Sequence, residues 1–392
     1  VGYFAPDLGI SDPVEFLKQF PEYATQLSLL LTQKLEKDMA ALDTPVEEPP
    51  FEESVNEEAL AENEPVEDKR QSVITYYQTS RVFDGQDLSD ADLSGLDLTE
   101  ASFKNCDLSG TNFSKAVLTD VDFSEEILTD VNFSGATLTG ARFNNVSASE
   151  TNFTGAMLNR AMMKECDFTG ANFEQAVLEE SFLNDSDFSN ANLQGINAAG
   201  VAAINTIFSD AILTGANFNR AKLTRTKFEG SKAAGSNFKS VLAVRADFTG
   251  GDFSQCDFSS ATLDQSESDV GTRFTGAVFK ETMLKKVSWL NTNFDGAKFE
   301  NVTADDSDFS EGSFVGAGIN QSLFRGALFD KCKFTNATVL KTNLFESSFR
   351  GAQLSKSDFA ASNLYQADFQ HAILDQTRLE TCDLGRTILE KK

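Results

Sequence analysis

The sequence predicts a stacked-repeat solenoid, and three observations predict it. From Asp87 to Glu390 almost every fifth residue is Phe or Leu, a small residue stands two places before it, and Asp or Asn often stands one place before it. The run Ala91-Asp92-Leu93-Ser94-Gly95 states the unit, and Ala171-Asn172-Phe173 and Ala216-Asn217-Phe218 repeat it. A period of five is neither the roughly 3.6 of an amphipathic helix nor the roughly 2 of a half-buried strand. A fixed internal period is the signature of stacked repeats.

The central residues run by fives from Leu88 to Leu263 and again from Phe274 to Leu389, which makes thirty-six and twenty-four units, sixty in all. Between the blocks the spacing is eleven instead of ten, so one residue is inserted within 264–271 and a bulged loop is expected at one corner. This Ala-(Asp/Asn)-Leu-X-X pattern resembles the pentapeptide-repeat family, and the likeness covers about four-fifths of the chain. The resemblance implies an all-β fold, a right-handed quadrilateral parallel β-helix with four units per coil. Sixty units then give about 15 coils, and at roughly 4.8 Å per coil a rod on the order of 70 Å long.

The centre and the small residue two before it are expected to point inward and the other three to face water, because two large inward side chains per unit would overfill a close-packed interior. From Phe103 to Phe153 the centres ending in 3 are all Phe, while Leu108, Leu118, Leu128 and Leu138 alternate with them. Two opposite faces should therefore stack Phe and two should stack Leu, in the offset geometry aromatic rings prefer. Ala takes the centre at Ala148, Ala198, Ala203, Ala233 and Ala243; the adjacent pair Ala198 and Ala203 predicts a narrowing or bend.

Four segments are expected. Residues 1–42 form a helical segment, opened by Ser11-Asp12-Pro13 and carrying the stripe Tyr23, Leu27, Leu30, Leu31, Leu35. Residues 43–70 form a disordered acidic linker, with eleven acids and no base from Asp43 to Asp68. Residues 71–86 cap the solenoid, through Val73-Ile74-Thr75-Tyr76-Tyr77, since a solenoid end needs protection. Residues 87–392 form the β-helix, with the register break near 264–273. About forty residues cannot hold a core alone, so the helical segment must dock on something, and the opening at Val1 suggests a fragment of a longer protein.

The formal charge is −27, of which the stretch from Arg81 to Lys392 holds 43 acids against 28 bases. No stretch is long enough to span a membrane. All five cysteines, Cys106, Cys166, Cys256, Cys332 and Cys382, stand two before a centre, as small buried residues in the manner of Ala. Their odd number and wide spacing argue against disulfides and metal ligation and imply a reducing cytosol; the family resemblances imply a bacterial cytoplasm, with export by a contact-dependent system as an extension. No cofactor is expected. The one histidine, His371, stands at an outward corner without a nucleophile that sequence can pair with it. The Asp residues before centres, such as Asp87, Asp92, Asp97 and Asp107, read as turn caps rather than acid–base pairs. The chain is therefore expected not to be an enzyme, and its acidity argues against direct nucleic-acid binding.

On a twenty-residue coil, residues 20 apart share an outward column. Arg325, Phe345 and Tyr365 make one, an Arg–aromatic ladder of the kind that anchors protein partners. Met162, Phe182 and Ala202 make a second, an apolar column that could receive the N-terminal stripe. Arg220, Lys222, Arg225, Lys227, Lys232, Lys239 and Arg245 make a basic belt interrupted only by Glu229; the acidic linker is its candidate counter-ion. These features fit a non-enzymatic protein-interaction scaffold. The stretches Asn363-Leu364-Tyr365, Ala367-Asp368-Phe369, Thr377-Arg378-Leu379 and Arg386-Thr387-Ile388-Leu389 resemble pentapeptide-repeat proteins linked to type VI secretion. That resemblance implies a secretion-system component or effector as partner, the chain acting as an adaptor or loading module. Two alternatives also arise from family resemblance: a DNA mimic that inhibits or protects DNA gyrase or topoisomerase IV, and a secreted effector that recruits host proteins.

Overall fold

The computed structural model describes residues 69–389. The chain divides into two units, Val1–Val66 and Glu67–Lys392. The expected helical segment and nearly all of the expected linker lie outside the described residues.

The second unit is a right-handed quadrilateral β-helix. Most faces meet through single-residue parallel bridges twenty residues apart, as in the series Asn112–Asn132–Asn152–Asn172–Asn192. The centre N–H donates up the stack and the N–H of the residue before it donates down: Phe113 N–H to Asn132 O at 2.8 Å, Asn132 N–H to Thr111 O at 3.0 Å. Longer strands appear only from the edge of the register break onward. These are β1 (Glu267–Ser268), β2 (Val278–Lys280), β3 (Ser288–Trp289), β4 (Lys298–Glu300), β5 (Gly318–Asn320) and β6 (Thr338–Leu340); β2, β4, β5 and β6 form one parallel sheet and β1 pairs with β3.

Each unit buries its centre and the residue two before it. Phe123 and Val121 are both fully buried, and Asp122 between them is partly exposed. The alternating stacks are present: Phe103 and Phe123 lie 5.3 Å apart at 7°, Phe113 and Phe133 5.3 Å apart at 4°, and adjacent stacks meet edge-on. Where Ala is the centre, the other inward residue usually grows. Val146, Ile196, Val201 and Val241 precede Ala148, Ala198, Ala203 and Ala243. This volume exchange lets the ladder pass Ala198 and Ala203 at ordinary length, Ala198 N–H to Asn217 O and Ala203 N–H to Lys222 O both at 2.8 Å. Ser231 before Ala233 lacks the extra volume, and its hydroxyl has no partner.

The corner after each centre is one tight turn. Its second residue takes positive φ in nearly every unit, from Asp90 at 55° to Arg386 at 56°. Among the described residues forty-two non-glycine residues share this left-handed conformation, and only Thr381 of these is β-branched. Branching at Cβ makes that region costliest, so the composition of the position follows from the backbone. The residue before the centre caps the turn: Asp92 Oδ1 accepts the Ser94 N–H at 3.1 Å and Asp107 Oδ1 that of Ser109 at 3.1 Å.

Several expectations need correction. The ladder begins inside the region assigned to the cap, with Val82 bridged to Ser102 and Phe83 stacked on Phe103 at 5.1 Å. Before it, α1 (Lys69–Tyr77) lies over the first coil. Val73 is buried, Tyr76 contacts Phe83 at 5.1 Å, the Lys69 ammonium donates to Asp87 Oδ1 at 2.9 Å, and Tyr77 Oη donates to Thr99 O at 2.7 Å. Lys69 and Arg70, placed in the linker by sequence, are thus helical. The inserted residue falls at a corner, as expected, in the turn between Ser268 and Thr272, where Val270 is exposed. Ser268 is itself a buried centre, a unit the Phe/Leu count passes over. The large Trp289 stacks one coil beyond this small centre and donates its indole N–H to Ser266 Oγ at 3.1 Å. The cysteines behave like Thr rather than Ala. Cys256 Sγ donates to Ala233 O at 3.0 Å, the same corner bond that Thr111 Oγ makes to Leu88 O at 2.8 Å.

One breach interrupts the ladder. Glu126 occupies an inward position normally held by a small residue and is only 6% exposed. Its Oε1 accepts the Asn105 N–H at 2.6 Å, a donor that elsewhere in the repeat serves the next coil. Among the described residues, the repeat's bonds from Leu108 N–H to Ile127 O, from Ile127 N–H to Cys106 O and from Gly110 N–H to Thr129 O are not formed, and Ile127 is 67% exposed.

Candidate functional site

Because only one residue per unit points outward from a flat face, with two more at each corner, the surface reads as columns. The first face is an unbroken bridge series: Arg142, Met162, Phe182, Ala202, Lys222, Leu242, Thr262, Met283, Thr303, Leu323, Asn343, Asn363. This is the only one of the four faces that carries no carboxylate over that span. Met162, Phe182 and Leu242 are exposed along it.

The corner that follows the first face carries Arg225, Arg245, Arg325, Phe345 and Tyr365. The Phe345 and Tyr365 rings stack at 6.0 Å and 8°, and both are half-buried. In the repeat from Val82 to Leu389, outward positions hold three aromatic rings, Phe182, Phe345 and Tyr365, and all three fall on this side.

The cation of the ladder is not the one expected. Arg325 turns to Asp305, its Nε 3.2 Å from both carboxylate oxygens and its backbone N–H 3.0 Å from Oδ1. Burial pushes the Asp305 carboxyl up, but these Arg325 bonds outweigh it and hold it below the ordinary value. Arg386 instead lies over Tyr365, at 5.9 Å from the ring centre. Arg386 was missed because it is the second residue of its turn and Tyr365 the first, so the twenty-residue column rule does not connect them. Asp305, Asp306, Arg325, Gly326, Phe345 and Glu346 line a shallow depression of about 280 Å³ beside the ladder.

The belt divides. Lys222 lies on the first face, Arg220 and Lys239 at the corner before it, and Arg225 and Arg245 at the corner after it. Lys227 lies on the second face and Lys232 on the third, away from the others. Lys239 pairs with Asp257 at 3.0 Å, while Arg220 and Arg245 donate to the neutral acceptors Asn219 Oδ1 at 3.1 Å and Gln265 Oε1 at 2.8 Å. Among the described residues Lys222, Arg225, Lys227 and Lys232 make no ion pair.

Burial pushes the thiols up, to about 11 at Cys106 and Cys166 and about 12 at Cys256, so they stay protonated and unreactive. Among the described residues no group of His, Cys, Asp and Glu could hold a metal ion, and no helix is long and apolar enough to cross a membrane.

A pentapeptide repeat region matches residues 79–153, and the pentapeptide repeat (8 copies) matches segments across 166–265, 272–310 and 322–386. The chain belongs to the pentapeptide-repeat family. Solved structures similar to this pentapeptide-repeat chain include a trypsin-treated form of QnrB1, a plasmid-mediated fluoroquinolone resistance protein. It is 16% identical over 48% of this chain and 89% of that one, with a TM-score of 0.31. HetL, involved in heterocyst differentiation regulation in Nostoc sp. strain PCC 7120, is 21% identical over 69% and 90%, with a TM-score of 0.20. A pentapeptide repeat protein of the Arabidopsis thaliana thylakoid lumen is 28% identical over 30% and 67%, with a TM-score of 0.19. No curated protein matches.

Proposed function

We propose that this chain is a non-enzymatic protein-binding scaffold whose partner docks along the first face and the corner after it. The observation that carries the reading is the confinement of Phe182, Phe345 and Tyr365 to that one side. Aromatic side chains anchor interfaces because they bring large apolar area. The Phe345–Tyr365 pair is already stacked and half-buried, so binding would cost it little conformational freedom. The finer reading, a loading module for type VI secretion, is supported by the resemblance of the last units, which hold the Tyr365–Arg386 contact. A DNA mimic would want a continuous acidic surface, and the cations from Arg220 to Arg245 interrupt one.

The test is capture from cells of the source organism on the tagged chain, with mass spectrometry, beside a Phe345→Ala/Tyr365→Ala variant. The variant is expected to melt with the parent and to lose the captured set. Retention of every captured protein would contradict the ladder as a docking site. Secretion-spike or effector components in the lost set would favour the loading module; topoisomerase subunits would favour the mimic.

A further inference from the structure

The scaffold reading leaves open what kind of partner the first face accepts, and its middle narrows that choice. Over three successive coils, the face residues Ala202, Lys222 and Leu242 and both flanking corners, 199–200, 219–220 and 239–240 on one side and 204–205, 224–225 and 244–245 on the other, contain no acid. The same window holds five cations, Arg220, Lys222, Arg225, Lys239 and Arg245. Only Lys239 has an acidic partner there, Asp257; Arg220 and Arg245 rest on neutral amides, and Lys222 and Arg225 make no ion pair among the described residues. Arg225 and Arg245 sit on the same corner one coil apart, their backbones roughly 5 Å apart by the strand spacing. Like charges on neighbouring coils repel unless an anion neutralises them.

The cations are interleaved with apolar side chains. Met162 and Phe182 precede them on the face and Leu242 follows, each between 44% and 48% exposed, with Ile204 and Val244 on the corner. A nucleic-acid backbone would meet the cations but would leave the apolar residues uncovered. Beyond the window it would also run into acids, Glu179, Glu180 and Asp185 on one side and Asp264 on the other. A short acidic segment with apolar side chains meets both features: its carboxylates are confined to the acid-free coils, and only its apolar side chains extend between Glu179, Glu180 and Asp185 to reach Phe182 and Met162.

We infer that the first face between Met162 and Leu242 is a docking site for an acidic, apolar-bearing protein segment. This rests on the scaffold reading for its setting and names the partner chemistry. The occupant lies along the column. Its carboxylates pair with Lys222, Arg225, Arg245 and Arg220, and its apolar side chains cover Phe182, Met162 and Leu242. The charges supply steering and register, and the apolar contacts supply affinity.

The test uses the full chain and three labelled probes followed by fluorescence anisotropy: a twelve-residue peptide of mixed Glu, Leu and Phe, polyglutamate of equal length, and a short DNA duplex. The mixed peptide is expected to bind best. Lys222→Glu/Arg225→Glu should weaken it at least about tenfold, the loss expected when close charge pairs turn repulsive. Phe182→Ser should weaken it several-fold while leaving the weaker polyglutamate binding unchanged. Both variants alter exposed positions and should melt with the parent. Failure of the mixed peptide to bind, affinity unmoved by either variant, or tighter binding of the duplex would overturn the inference. Failure of the parent chain to bind the peptide, with partner capture still dependent on Phe345 and Tyr365, would sink this inference alone. Failure of the parent to bind the peptide together with capture that does not depend on Phe345 and Tyr365 would sink the scaffold reading as well.

Discussion

At the scale of the residue, the unit is an exchange of volume and a fixed set of hydrogen bonds. Phe123 shows the packing side. It is fully buried, stacks on Phe103 and Phe143 at 5.3 Å each, and meets Phe113 and Phe133 edge-on. Phe123→Ala should cost about 3–5 kcal/mol in denaturant unfolding, the range for a buried Phe. A loss under about 1 kcal/mol, the size of a surface change, would place Phe123 outside the core. The inward and outward roles were legible at once, because a period of five with two large-or-small positions admits one arrangement. The polar use of the second inward position was not. Cys, Ser and Thr there read as small residues, and only the fold brings the carbonyl of the previous coil within reach of Cys256 Sγ or Thr111 Oγ.

At the scale of the element, the informative place is where the repeat fails. Glu126 replaces a small inward residue, and burial pushes its carboxyl above the ordinary Glu value. A raised folded value means the folded state binds protons more readily than the unfolded one. The destabilisation is therefore fully present above the raised value and is relieved as pH falls toward the unfolded value. The turn caps have the opposite sign. The Ser94 hydroxyl and N–H hold Asp92 below the ordinary range, and Asp87, bonded to Ser89 and Lys69, falls to about 2. Their contribution is present above the unfolded Asp value and lost as pH falls through the depressed ones. Glu126→Thr restores the residue type found at Thr111 and Thr151. It should close the ladder and stabilise the chain by roughly 1–2 kcal/mol at neutral pH, the cost of an imperfectly satisfied buried polar group. The gain should shrink as pH is lowered toward about 4, the ordinary carboxyl range. Denaturant midpoints at the two pH values check both, and a variant less stable than the parent at neutral pH would contradict them. Sequence shows Glu126 as a departure from the small-residue rule, but not that its side chain turns inward. Likewise α1 was read only as a cap segment, since its few apolar residues carry no period that separates helix from strand.

At the scale of the molecule, a solenoid couples each coil only to its neighbours, so a surface is specified column by column. The columns were legible from the twenty-residue coil alone, and the sequence yields Phe345 over Tyr365 and Met162 beside Phe182 without coordinates. What it does not yield is their shared side, since that depends on how many faces lie between residues of different remainder. Nor does it yield the partner choice of an Arg side chain, as Arg325 turning to Asp305 demonstrates. Binding is thus expected on the first face and its two flanking corners, and the third face, with its asparagine ladder from Asn112 to Asn192, is structural surface. The decisive measurement is site-specific photo-crosslinking in cells, with the photoreactive residue placed in turn at Phe182, Thr303 and Gln366 on the binding side and at Asn152, Asn192 and Asn293 on the third face. Adducts from the first set and none from the second are the expected result. Adducts of equal yield from both sets, or from the third face alone, would contradict it.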